Sequence, residues 1–176
     1  MQLASHHQLT RTFPTDTRRW CITMAHFDEK SGIVPCQTPW GQWYQTMEEV
    51  FIEVTVPEGT KGKMVTVTFA PKQLSCTVRG EVVFKGELHE AVISDECTWT
   101  LVDNKLVQIV LTKSRRSAEN CWRSLLKDQY TADPFTYDQM EKKLTLQRFQ
   151  HENPGFDFSG AEITGNYSGG GPSFDP

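Results

Sequence analysis

The sequence has no apolar run of about 18 residues, the length a membrane-spanning helix needs, so it predicts no membrane segment. It also has no basic excess. With 18 Lys and Arg against 22 Asp and Glu, its formal net charge is −4. That excludes a nucleic-acid partner, whose phosphates call for a basic surface. It has no paired cysteine motif. Its five cysteines, at positions 21, 36, 76, 97 and 121, form neither a C-x-x-C nor a zinc spacing. An odd count without a secretory h-region reads as reduced thiols and a cytoplasmic location. Cys76 and Cys121 fall in apolar periodic contexts and read as small buried hydrophobes.

The motifs of catalysis are missing too. There is no G-x-S-x-G, G-x-x-x-x-G-K-[ST], G-x-G-x-x-G or H-E-x-x-H. The histidines, at 6, 7, 26, 89 and 151, have no acid or thiol at a spacing that specifies a triad. His6-His7 would need metal ligands from elsewhere in the chain. The reading is therefore no enzyme, no metal and no cofactor. The enzymatic rival is a site assembled across the fold. It would appear as a deep polar pocket holding His89 or His151 with a nucleophile.

What remains is a chain of 176 residues with 38% hydrophobic and 23% charged residues, enough for one domain with appendages. Residues 1–35 read as a disordered leader. Up to Thr23 it carries Arg11, Arg18 and Arg19 against the single acid Asp16. A mitochondrial transit peptide is the weaker alternative there, since Pro14 interrupts any amphipathic helix.

From residue 41 the pattern becomes that of short strands. Val50, Ile52, Val54 and Val56 alternate against Glu53 and Thr55, and Val65, Val67 and Phe69 against Thr66 and Thr68. Further strands are predicted at 41–46, 74–78, 82–88, 98–101 and 106–112, punctuated by PEG, APK, RGE and VDNK. The 106–112 strand is apolar on both faces, as a central or an edge-covered strand would be. Seven strands with turns every 8–12 residues make an antiparallel β-sandwich.

Two helices are expected after it. One covers 118–129, with Ser117 as cap and Trp122, Leu125 and Leu126 as a docking stripe. The other runs from Asp133-Pro134 to about Glu152. Asn153-Pro154-Gly155 ends the second, and 153–176 reads as a tail. Phe156 and Phe158 sit two apart, so an extended tail would project both to one side with Asp157 opposite.

Longer blocks carry a resemblance. TPWGQWYQTMEEVFIEVTVPEGT (38–60), TWTLVDNKLVQIVLTK (98–113), NCWRSLLKDQYTADP (120–134) and NPGFDFSGAEITGNY (153–167) resemble the nuclear distribution C family over about Ser31 to Phe174. MAHFDEKSGIVPC (24–36) resembles the family's start, which implies that 1–23 is an upstream extension. The resemblance implies a CS domain, placed at 36–126, followed by a helical segment at 127–152 and the tail at 153–176. It implies a co-chaperone acting without ATP beside heat-shock protein 90. Implied clients are β-propeller proteins, among them the lissencephaly protein that regulates cytoplasmic dynein. It also implies association with the centrosome, spindle pole and kinetochore.

Cys97 and Val102 depart from the family's pattern around TWTL, where Gly and an acid are expected. The family founder's long coiled coil has no counterpart before Trp40. A homodimer would then use the 135–152 helix through its Met140/Leu144 spacing, unless that spacing packs on the sandwich.

The expected partner-binding residues are Trp122, Lys113, Arg115, Phe156, Asp157, Phe158 and Tyr167. Lys113, Arg115 and Arg116 read either as a solvated strand end or as contact with an acidic partner. The rivals to a co-chaperone are a dynein-pathway adaptor independent of the chaperone and a small heat-shock-type holdase.

Overall fold

The computed structural model describes residues 33–158 and 161. Its strands are β1 (Cys36–Thr38), β2 (Gly41–Gln45), β3 (Glu49–Thr55), β4 (Val65–Ala70), β5 (Gln73–Val78), β6 (Glu81–Glu87), β7 (Thr98–Val102), β8 (Leu106–Thr112), β9 (Ser124–Leu126) and β10 (Gln129–Thr131). One helix, α1, spans Pro134–Glu152. A five-stranded sheet in the order β1-β2-β3-β8-β7 packs on a three-stranded sheet β4-β5-β6, and β9 and β10 form a hairpin. All pairings are antiparallel.

The period-two pattern explains this arrangement. Val50, Ile52 and Val54 of β3 and Val107, Ile109 and Leu111 of β8 are buried, as are Leu74, Cys76 and Val78 of β5. Those side chains interleave between the two sheets, each contributing about 1.5–3 kcal/mol of apolar burial. β8 lies between β3 and β7; its Val107, Ile109 and Leu111 are buried in the core, while Leu106 and Val110 point to the outer face and are half-buried.

The turn residues do their conformational work. Arg79-Gly80 and Asp103-Asn104 all have left-handed φ values and close the β5–β6 and β7–β8 hairpins. Gly41 is obligatory at the start of β2. Its φ is +151°, and a Cβ there would lie 1.9 Å from the Glu53 carbonyl oxygen across the sheet.

The expected helix over 118–129 is not there. Trp122, Leu125 and Leu126 are buried as the stripe suggested, but from an extended chain. Neighbouring backbone supplies the hydrogen bonds a helix would have made internally. The Lys127 N–H donates to the Glu87 carbonyl (2.8 Å) and the His89 N–H to the Leu125 carbonyl (3.2 Å). Left-handed Asp128 and Tyr130 shape the hairpin that follows. A twelve-residue helix is marginal by itself, and strand addition to a preformed sheet wins.

α1 begins where Asp133-Pro134 placed it. Asp133 Oδ1 accepts from the Phe135 and Thr136 N–H groups at 3.1 and 3.0 Å. Met140 and Leu144 belong to the chain's own hydrophobic core. The dimer seam expected on that spacing is therefore corrected: intramolecular packing occupies both side chains.

The leader lies outside the described residues except for 33–35, of which Val34 is buried.

Candidate partner-binding face

The outward face of the five-stranded sheet is built by register. Gln37 pairs with Gln42, Gln42 with Glu53, Glu53 with Gln108 and Gln108 with Thr100, so these side chains form one row across all five strands. The row is hydrogen-bonded. Gln37 Nε2 donates to Gln42 Oε1 at 2.9 Å, and Gln42 Nε2 to Glu53 Oε2 at 2.8 Å. Gln108 Nε2 donates to the other Glu53 oxygen at 3.3 Å. Two amides thus hold the carboxylate in a fixed orientation at the centre of the sheet.

Next to it runs an apolar row. Tyr44 opposes Phe51, and Phe51 opposes Val110. The Tyr44 and Phe51 rings stack at 5.0 Å with 11° between planes. On the other flank, Thr55, Leu106 and Val102 face one another in register. The Tyr44 phenol is pushed above its ordinary pKa by burial first, then by the charge of Glu53 and a hydrogen bond to it. No strand residue of this face is a Lys or Arg. The face therefore offers a fixed anion between two apolar strips.

Sequence reasoning missed this face, although a signal existed. Phe51 sits at the solvent phase of a strand whose other outward residues are Glu and Thr. With Tyr44 and Val110 beside it in register, it belongs to a contiguous apolar row, and contiguous patches rather than single residues mark interaction sites.

The expected partner-binding residues are scattered. Trp122 is fully buried. Lys113 is fully buried as well, with its Nζ donating to Gln45 Oε1 (2.9 Å), the Thr46 carbonyl (2.9 Å) and the Asn120 carbonyl (3.0 Å). Neither offers surface to a partner, and Lys113 is no solvated strand end. Burial pushes the Lys113 ammonium down to about 8. Arg115 is exposed and sits 3.8 Å from Glu90, a pair worth little in water.

The tail turns back instead of leaving in an extended form. Gln150 Nε2 donates to the Phe156 carbonyl at 2.6 Å, and the Phe158 N–H to Gln150 Oε1 at 3.2 Å. The Phe158 ring lies 6.1 Å from Phe149 of α1 and 6.3 Å from Phe156. Phe156 remains 68% exposed and Asp157 is exposed beside it. Tyr167 lies outside the described residues.

The pocket named as the enzymatic rival's test is present in part. His89 Nδ1 lies 3.2 Å from Ser124 Oγ on the wall of an open cavity of about 570 Å³. Burial holds the His89 imidazole below its usual pKa, opposed by Glu90 and aided by Lys113. Ser124 is itself buried in β9, and among the described residues no hydrogen bond joins the other imidazole nitrogen to a carboxylate. A Ser–His pair without its orienting acid is an incomplete triad. Among the described residues no group of three or more metal-ligating side chains gathers.

Against known proteins, a CS domain family model matches residues 39–113. NudC domain-containing protein 2 of Homo sapiens is 59% identical over 150 residues, covering 85% of this chain and 96% of that protein. The crystal structure of NudC domain-containing protein 2 from Mus musculus is 57% identical, covers 74% of this chain and all of that chain, and has a TM-score of 0.42. The solution structure of the CS domain of human KIAA1068 protein has a TM-score of 0.50 at 21% identity, covering 56% of this chain and 82% of that one, a likeness of fold.

Proposed function

We propose a role for this chain from one premise: it belongs to the NudC domain-containing protein 2 family and contains that family's CS domain. Membership suggests a co-chaperone-like role. The reading supported best is a non-enzymatic co-chaperone that engages heat-shock protein 90 through the outward face of the five-stranded sheet. Its clients would be β-propeller proteins such as the lissencephaly protein, which places its action in the dynein pathway. Cytoplasm, with recruitment to centrosome, spindle pole and kinetochore, is the location that role calls for.

One observation carries the reading. The face is half-apolar and anchored by a carboxylate that its own neighbours hold in place. Pre-oriented charge beside aromatic surface is what a protein interface needs, because little order is lost on docking. The incomplete Ser–His pair offers no comparable support for catalysis.

The test is capture of purified heat-shock protein 90, without nucleotide, by the chain and by a Tyr44→Ser, Phe51→Ser, Glu53→Lys variant. Loss of capture is expected from a variant that still unfolds cooperatively, its melting temperature lowered only by the lost Tyr44–Phe51 stack and ladder bonds. Equal capture by both would overturn the reading. A parallel heating assay asks whether the chain suppresses aggregation of a β-propeller client without ATP.

A further inference from the structure

The acidic, half-apolar face lies on the sheet whose edge strand the N-terminal leader feeds. The described chain begins at Ile33, Val34 is buried, and β1 follows at Cys36. Ahead of it the sequence reads TRTFPTDTRRWC over 10–21, with Arg18-Arg19-Trp20 as its most basic and aromatic point. The rest of the chain outside the structure has the wrong charge: 162–176 carries Glu162 and Asp175 and no Lys or Arg.

We infer that the leader's Arg18-Arg19-Trp20 segment docks in cis on this face, one guanidinium meeting the Glu53 carboxylate and the indole lying against the Tyr44–Phe51 stack. The inference rests on the reading of the same face as a docking surface and adds its regulation: the leader and an external partner exclude each other.

Reach permits it. The 13 residues from Trp20 to Ile33 span up to about 43 Å when extended. The five-stranded sheet is only about 19 Å across from β1 to β7. Charge favours it. The leader supplies three arginines against Asp16 before Cys21, and the strand residues of the face supply Glu49 and Glu53 with no cation. Chemistry favours it as well. A guanidinium makes planar, paired bonds to a carboxylate and stacks on aromatic rings, and both acceptors stand side by side here. Tethering raises the local concentration of the segment, so a weak contact suffices.

Cys21 provides the probe. Cys36, Cys76 and Cys121 are buried, so a nitroxide placed on Cys21 in a full-length Cys97→Ser chain reports where the leader sits. The substitution keeps a hydroxyl where the thiol donates to the Ile93 carbonyl. The expected result is selective broadening of the Tyr44, Phe51, Glu53, Gln108 and Val110 amide resonances. It should disappear in Arg18→Glu, Arg19→Glu and in about 1 M salt, where the screening length falls to about 3 Å.

Broadening centred on the three-stranded sheet or α1, or none at all, would overturn the inference. So would broadening seen only when spin-labelled and isotope-labelled chains are mixed, which would make the occupant a second copy. Heat-shock protein 90 capture by the Tyr44→Ser, Phe51→Ser, Glu53→Lys variant is scored separately. If the nitroxide finds no face contact while that variant still loses capture, the leader docking falls and the face reading stands. If docking holds, Arg18→Glu, Arg19→Glu should raise capture several-fold over the unaltered chain.

Discussion

Gln42 and Gln45 lie three residues apart on β2 and have opposite careers. Gln42 points outward and joins the ladder that ends on Glu53. Gln45 points inward and is buried. Its Oε1 accepts from Lys113 Nζ and from the Trp122 N–H, both at 2.9 Å. Its Nε2 donates to the Trp122 carbonyl at 2.8 Å and to Met140 Sδ at 3.3 Å. One amide therefore ties β2, the end of β8, the 120–122 segment and α1 together. Strand parity alone separates a joint of the fold from a surface of recognition, and the two should respond oppositely to substitution.

The largest effect belongs to the buried joint. Gln45→Ala removes an acceptor from a buried ammonium and strands both backbone groups of Trp122. Urea unfolding should show a loss of about 3 kcal/mol. Gln42→Ala, whose partners can turn to water, should stay within about 0.5 kcal/mol. Equal losses would break the comparison.

The joint should also respond to pH. Lys113 has its folded pKa depressed from 10.5 to about 8, chiefly by burial. Below about 8 both folded and unfolded chains hold the proton, and the folded state bears the full cost of burying it. Between about 8 and 10.5 the folded chain sheds a proton that the unfolded chain keeps, so this site's contribution to stability rises with pH. Cys121, pushed up to about 12 by burial, works in the opposite direction above its ordinary 9.0. The clean window is therefore pH 7 to 9, comparing the chain with Lys113→Met. Their stability difference should move about 1 kcal/mol in favour of the unaltered chain across it. A flat difference would mean that the ammonium is not desolvated as its contacts imply.

The outward ladder should yield smaller changes in stability. Glu53→Gln keeps the shape and removes the charge, so the unfolding free energy should change by less than about 1 kcal/mol. Heat-shock protein 90 capture should nevertheless fall. If capture survives Glu53→Gln but not Tyr44→Ser with Phe51→Ser, the apolar row rather than the carboxylate carries recognition.

This contrast also marks what could be read from the chain. All seven expected strands and the Asp133-capped start of α1 appear in the structure, because alternation, turn residues and capping are local signals. β9 and β10 were out of reach. Trp122, Leu125 and Leu126 satisfy a helical stripe and an all-round-buried strand equally well, and the deciding hydrogen bonds come from Glu87 and His89, far away in sequence. Lys113 was misread for the same kind of reason. It stands next to Arg115 and Arg116 in sequence, but its partners Gln45 and Thr46 come from another strand and its turn. The ladder was hidden one residue out of phase with the core pattern that drew the strands.

The smallest expected effect is that of Phe156→Ser in the tail, set against its neighbour Phe158. Phe158 rests against Phe149 and its N–H bonds to Gln150, whereas Phe156 keeps most of its ring in solvent. Phe158→Ser should lower the melting temperature slightly, since one partly covered aromatic contact is worth about 0.5–1.5 kcal/mol. Phe156→Ser removes a ring that covers little, and its carbonyl keeps the bond from Gln150 because that bond is to backbone. Its melting temperature should therefore match the unaltered chain within error. A client-capture assay on the same pair then decides what the exposed ring is for. Loss of client with Phe156→Ser alone would make the tail a second recognition element beside the sheet face. Unchanged capture would leave it a closing turn on α1, and recognition would rest on the sheet.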